Sequence, residues 1–235
     1  MKTALITGGA RRLGEAMSIK LASLGYNIAL HYHSSSPDGL VERIHSLGVK
    51  CLPQRYDLTD KDGASELVKE AAAKLPRLEL LVNNAAIFER ASFTETSEQL
   101  LEKHMELNLK APYRLSRDFA LTADRGQIIN IIDANAVKNN SAYAAYIISK
   151  KGLMGLTTMT ALEFAPAIRV NAIAPGLILP PPGEGEKYMK EAAEKRVPLK
   201  RQGKVGDITA ALEFLLKNEF ITGQILFIDG GEHLR

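Results

Sequence analysis

Seven short apolar runs, each separated from the next by a stretch of helical periodicity, restrict the fold of this chain more than any other feature. They fall at residues 4–7, 28–32, 49–52, 78–82, 128–132, 170–173 and 225–228. Runs that are apolar throughout, rather than alternating, suit strands buried on both faces, which is the condition of a parallel sheet covered by helices on either side. The chain is 235 residues long with 46% apolar content, enough for one full core, and no glycine/serine-rich or proline-rich linker divides it. One α/β domain spanning 1–235 is therefore expected. The only long irregular stretch is 177–203, where Pro180, Pro181 and Pro182 precede a short helix expected at 186–195.

The first run, Thr3 to Thr7, leads into Gly8-Gly9-Ala10-Arg11-Arg12-Leu13-Gly14 and then an amphipathic stretch at 15–24. Strand, glycine turn and helix in that order let a pyrophosphate approach the backbone at a helix N-terminus, where unpaired N–H groups favour an anion. The glycine spacing is not G-x-G-x-x-G, so a tight turn with no ligand is the competing reading. Further along, an apolar run passes through a polar loop beginning at Asp133 into a long helix, placing Tyr146 and Lys150 one turn apart on one face. An ammonium beside a phenol stabilises the phenolate, and this predicts a Tyr146 pKa drawn down toward neutrality, suited to proton transfer.

Six landmarks in order carry a resemblance: TGGARRLG, Asn83-Asn84-Ala85, Asn108, Tyr146-x-x-x-Lys150, Pro175-Gly176 after Arg169-Val170-Asn171, and ITGQILFIDGG. Over its whole length the chain resembles the short-chain dehydrogenase/reductase family. Two departures from that family's common pattern, Arg12 for the middle glycine of the turn and Asp133 for the serine thirteen residues before the tyrosine, are joined by HYHSSS and Phe88. Together they resemble the pteridine reductase and dihydromonapterin reductase branch, although Ala86 stands where those enzymes often have serine. The resemblance implies a Rossmann-type doubly wound sheet in the order 3-2-1-4-5-6-7, a substrate lid at about 177–203, and a homotetramer.

It also implies roles position by position. Thr7, Gly8, Arg11, Arg12, Leu13 and Gly14 would hold the cofactor's pyrophosphate, Asp57 and Leu58 its adenine, Asn83 and Ala85 its ribose, and Pro175 and Gly176 its nicotinamide. Lys150 would bind the nicotinamide ribose and act on Tyr146, while Asn108 would distort its helix and hold a water in the proton relay. Arg12, Phe88, Asp133, Tyr146 and Leu177 would face the substrate, with Phe88 sandwiching a flat ring. An ionised carboxylate repels a carbonyl oxygen, so Asp133 suits a substrate that presents N–H groups or needs a nitrogen protonated, as a pterin does. The competing reading of Asp133 is a loop carboxylate capping the next helix.

Cofactor choice turns on the end of the second strand. A carboxylate there would bind a ribose 2′-hydroxyl and repel a 2′-phosphate. Here His31, Tyr32, His33, Ser34 and Ser35 follow instead, with Arg11 arriving from the turn, so NADPH/NADP+ is expected. His31 and His33 share a strand face but lack a third ligand nearby, so no metal is expected. A net charge of +3 calls for no polyanionic partner, and the basic residues of 187–204 alternate with Glu186, Glu191 and Glu194, so no nucleic acid is expected. No run reaches the ~18 apolar residues of a membrane span. A lone Cys51 and a chain that enters a core strand at once favour the cytoplasm. A small-molecule substrate remains. Beside the pterin reductase stand a carbonyl reductase of the same family, acting as 3-oxoacyl-carrier-protein reductases do, and a non-catalytic NADP sensor, against which the intact Tyr146 and Lys150 count.

Overall fold

The computed structural model describes residues 1–34, 36–181 and 183–235. Ser35, expected beside the cofactor phosphate, and Pro182 of the lid lie outside the described residues. Seven strands form one sheet: β1 (Thr3–Ile6), β2 (Asn27–Tyr32), β3 (Cys51–Arg55), β4 (Leu78–Asn83), β5 (Gly126–Ile131), β6 (Ile168–Pro175) and β7 (Ile225–Ile228). Every pairing is parallel and the order is β3-β2-β1-β4-β5-β6-β7, as expected.

Strand periodicity sorts the core into two layers. Ala4, Ile6, Ile28, Leu30, Leu80 and Val82 face one side with Met17, Ile44 and Leu212, from helices α1 (Arg12–Ser23), α2 (Asp38–Ser46) and α8 (Val205–Lys217). Their neighbours Leu5, Ala29 and Leu81 face the other side with Leu67, Phe119 and Ala161, from α3 (Lys61–Lys74), α5 (Ala111–Thr122) and α6 (Ala144–Phe164). Apolar burial on both faces is what the uninterrupted runs required.

The remaining elements frame one end of the sheet. Helix α4 (Glu98–Met105), capped by Ser97 Oγ accepting from Leu100 N at 3.2 Å, runs into a π-helical turn, Glu106–Lys110, before α5. The lid carries α7 (Glu186–Arg196), whose Met189, Ala192 and Ala193 pack with Leu177 and Val197 into a small apolar cluster. At the sheet's edge, Pro53 lies in the middle of β3 opposite Leu30. No helix among the described residues is long and apolar enough to cross a membrane.

Candidate active site

The turn after β1 is held by its neighbours on both sides. Gly8 has φ +60°, and its N–H donates to His31 Nδ1 at 3.0 Å, while Gly9 N–H donates to the His31 carbonyl at 2.9 Å. Thr7 Oγ1 accepts from the N–H groups of Asn84 (2.9 Å) and Ala85 (3.0 Å), and the Asn84 amide donates to the carbonyls of Thr7 (2.9 Å) and Gly8 (3.1 Å). A Cβ on Gly14 would sit 2.0 Å from the Gly8 carbonyl oxygen, so the first turn of α1 closes on the strand only with glycine there. This backbone cradle at a helix N-terminus fits a dinucleotide pyrophosphate.

Several expected cofactor contacts are corrected by these bonds. His31 is buried, and its second nitrogen donates to the Tyr56 carbonyl at 3.1 Å, so both ring nitrogens are occupied and neither can serve a phosphate. Burial holds its pKa down at about 4, and the neutral ring is the form that can accept from Gly8. Asn83 turns its amide into the sheet, donating to Asn130 Oδ1 at 2.8 Å, so only its backbone can reach a ribose; the stitching side chain is its neighbour Asn84, a member of the same landmark to which no role was assigned. Leu58, expected at the adenine, packs into the core under α3, and Leu177, expected to face the substrate rather than the cofactor, packs into the lid cluster. Asp57 is exposed and its carboxyl is held below the ordinary range, first by the Thr59 hydroxyl and N–H.

Arg12 occupies the position of the family's middle glycine and keeps a left-handed backbone, φ +53°. That conformation costs a non-glycine residue about 1 kcal/mol or more. Its side chain does something glycine cannot: Nη2 donates to the Pro180 carbonyl at 2.8 Å, joining the turn to the start of the lid. At the lid's other end Arg196 Nε donates to Glu232 Oε1 at 2.7 Å.

Across the sheet's carboxyl end, Asp133 begins a 3-10 turn, Ala134–Val137, and its two oxygens divide their work. Oδ1 accepts from the Asn135 N–H at 2.7 Å and amide at 3.0 Å, while Oδ2 accepts from the Tyr146 hydroxyl at 2.8 Å. Asp133 thus caps the turn with one oxygen and keeps the other on the Tyr146 hydroxyl. Tyr146 and Lys150 share a face of α6 as expected, but the Lys150 ammonium donates to the Ile131 carbonyl at 2.8 Å and stands 5.9 Å from the phenol ring centroid. The expected depression of the Tyr146 pKa is reversed: burial, then the Asp133 charge and hydrogen bond, push it well above the ordinary phenol value. Burial brings Lys150 down to about 8.

Asn108 lies in the π-helical turn, so the expected helix distortion is present. Its amide accepts from the Ile87 N–H (2.9 Å) and donates to the Ile87 carbonyl and Ser149 Oγ (both 3.1 Å). Two further residues, legible in the sequence only as an ordinary histidine and tyrosine, belong to this wall. His104, fully buried, donates from Nδ1 to the Leu100 carbonyl at 2.9 Å and accepts the Glu89 N–H on Nε2 at 3.3 Å. Asn108 and His104 therefore clamp the segment on either side of Phe88. Phe88, 46% exposed, stacks on Tyr143 (centroids 4.7 Å, planes 14° apart) and meets Tyr146 edge-on (4.7 Å, 82°). The spacing of His104, one turn before Asn108, is the signal that could have found it.

A parallel sheet, a glycine cradle and a tyrosine–lysine pair at its carboxyl end define a dinucleotide-dependent oxidoreductase fold, and comparison with known proteins narrows the class. The family described as enoyl-(acyl carrier protein) reductase matches residues 8–233. The chain belongs to the short-chain dehydrogenase/reductase family. It is 33% identical to the 3-oxoacyl-[acyl-carrier-protein] reductase FabG of Thermotoga maritima over 98% of this chain and 97% of that one. Among solved structures it is similar to FolM alternative dihydrofolate reductase 1 from Brucella suis in complex with NADP, with 33% identity, TM-score 0.94, and 100% and 96% of the two chains covered. It is also similar to a blue fluorescent protein from a metagenomic library in complex with NADPH, with 30% identity, TM-score 0.91, and 98% and 97% covered.

Proposed function

We propose that the protein is an NADPH-dependent reductase that converts a dihydropterin to a tetrahydropterin. The observation that carries this reading is the 2.8 Å hydrogen bond from Tyr146 to Asp133. A carboxylate in place of the family's serine cannot donate to a substrate carbonyl, but a phenol that keeps its proton beside a carboxylate can supply a proton to a ring nitrogen. NADPH supplies the hydride, which goes to the carbon of the substrate's C=N bond. Lys150 binds the nicotinamide ribose, Asn108 supports the proton relay, Arg12 and Tyr146 border the substrate, and Phe88 offers a ring face to it. Pro175 and Gly176 flank the nicotinamide, and Arg11, His33 and Ser34 receive the 2′-phosphate. The Brucella FolM neighbours support the substrate class.

The second reading is a carbonyl reductase, favoured by the FabG relatives at full length. NADPH oxidation against a panel of dihydropterins, folates and 3-ketoacyl thioesters separates them. We expect turnover with at least one dihydropterin; brisk reduction of ketones with every dihydropterin ignored would reject the pterin assignment while leaving the cofactor reading intact. A cytoplasmic homotetramer completes the proposal. Its support is the apolar surface that α5 and α6 leave uncovered, where Leu121, Met159 and Leu162 are exposed.

A further inference from the structure

We propose that Arg55, at the carboxyl end of β3, is the residue that makes this site prefer a 2′-phosphorylated dinucleotide. The inference rests on the NADPH reading and goes beyond it by assigning the preference to a side chain outside the glycine turn and the end of β2. Arg55 is the register partner of Tyr32, so it stands beside the last residue of β2, at the end of the sheet where doubly wound folds bind ligands. Its Nε donates to the His33 carbonyl at 3.1 Å. That bond orients the guanidinium, and among the described residues it leaves both Nη groups for an anion, the planar fork that suits a phosphate.

Three observations favour an anion there. First, Arg55 is exposed and, among the described residues, makes no ion pair, whereas Arg43, Arg77 and Arg114 each hold a carboxylate. Second, the expected cations at this lip are fewer than the sequence suggested: His31 is neutral and committed to Gly8 and Tyr56, and His33 lies 3.9 Å from the Asp57 carboxylate and so has a partner within the protein. Third, the Gly9 N–H bonded to the His31 carbonyl keeps the pyrophosphate turn beside this same strand end, so an adenosine ribose leaving the turn passes the segment that Arg55 holds.

The test is equilibrium titration of wild type, Arg55→Gln and Arg55→Lys with NADPH, NADH, 2′-AMP and 5′-AMP. Arg55→Gln should weaken NADPH and 2′-AMP by about tenfold or more, the scale of a hydrogen bond to a charged group, and leave NADH and 5′-AMP within about twofold. Arg55→Lys should fall between, and the salt dependence of NADPH binding should be shallower in Arg55→Gln. Equal weakening of phosphorylated and unphosphorylated nucleotides would assign Arg55 to the adenine ring and overturn the inference, as would no change in any of them. Wild type that binds NADH as tightly as NADPH would overturn the cofactor reading and this inference with it. The NADH titration also shows that the variant site remains formed.

Discussion

At Tyr146 two charged neighbours pull the phenol in opposite directions. Asp133 is in hydrogen-bond contact and Lys150 is a ring's width away with its ammonium tied to a backbone carbonyl, so the carboxylate and burial prevail and the phenol keeps its proton. A site arranged this way favours the direction that consumes a proton. Tyr146→Phe should therefore lower dihydropterin reduction by at least ~100-fold, the low end for a general acid, while NADPH affinity measured by titration changes little. Asp133→Ser should lose pterin turnover and leave any ketone turnover equal or improved; the opposite pattern would reverse the substrate assignment. The sequence placed Tyr146, Lys150 and Asp133 because their spacing along one helix and its preceding loop carries the geometry. It could not place the titration, since the sign depends on which charge comes nearer. It could not place Tyr143 either, whose stacking on Phe88 depends on the parallel bridge between Ala91 and Tyr143, a contact across 52 residues of chain.

The turn between β1 and α1 shows how little room an element can have. Gly14→Ala would drive a methyl group into the Gly8 carbonyl at 2.0 Å, and the Asn84 amide at 2.8 Å closes the other side. The backbone must move, so NADPH and NADH should both bind at least ~10-fold more weakly and the thermal midpoint should fall by several degrees, read by titration and calorimetry. Unchanged affinity in Gly14→Ala would mean that the turn is only a packing joint. Element order was legible because burial on both faces removes the polar half of each strand's pattern. Boundaries were less so: the third run was expected at 49–52 but β3 is Cys51–Arg55, because Pro53 reads as a stop and is tolerated on an edge strand. The π-helical turn at Glu106–Lys110 leaves no periodic trace, and only the family resemblance at Asn108 pointed to a distorted helix there.

Over the whole molecule, the glycine turn after β1, the strand β2 and the residue that follows β3 are joined through one imidazole, that of His31. Its pKa is about 4 in the folded protein and 6.5 when unfolded, so across that window the unfolded chain binds a proton that the native one refuses. Stability should therefore decline as pH falls from 6.5 to 4 and level off on either side, a contribution of about 3 kcal/mol from this group. Urea unfolding of wild type and His31→Gln at about pH 7.5 and about pH 4 measures it, because glutamine does not titrate; equal acid losses in both would remove His31 from the account. Pro53 carries a consequence of another kind. The sheet has two free margins, and a strand with open amides at its margin can recruit a stranger's chain and seed fibrous growth. At β3 the proline ring removes the amide midway along that margin, so a misfolded neighbour finds no continuous ladder there, and any templated growth must begin at β7 on the far side.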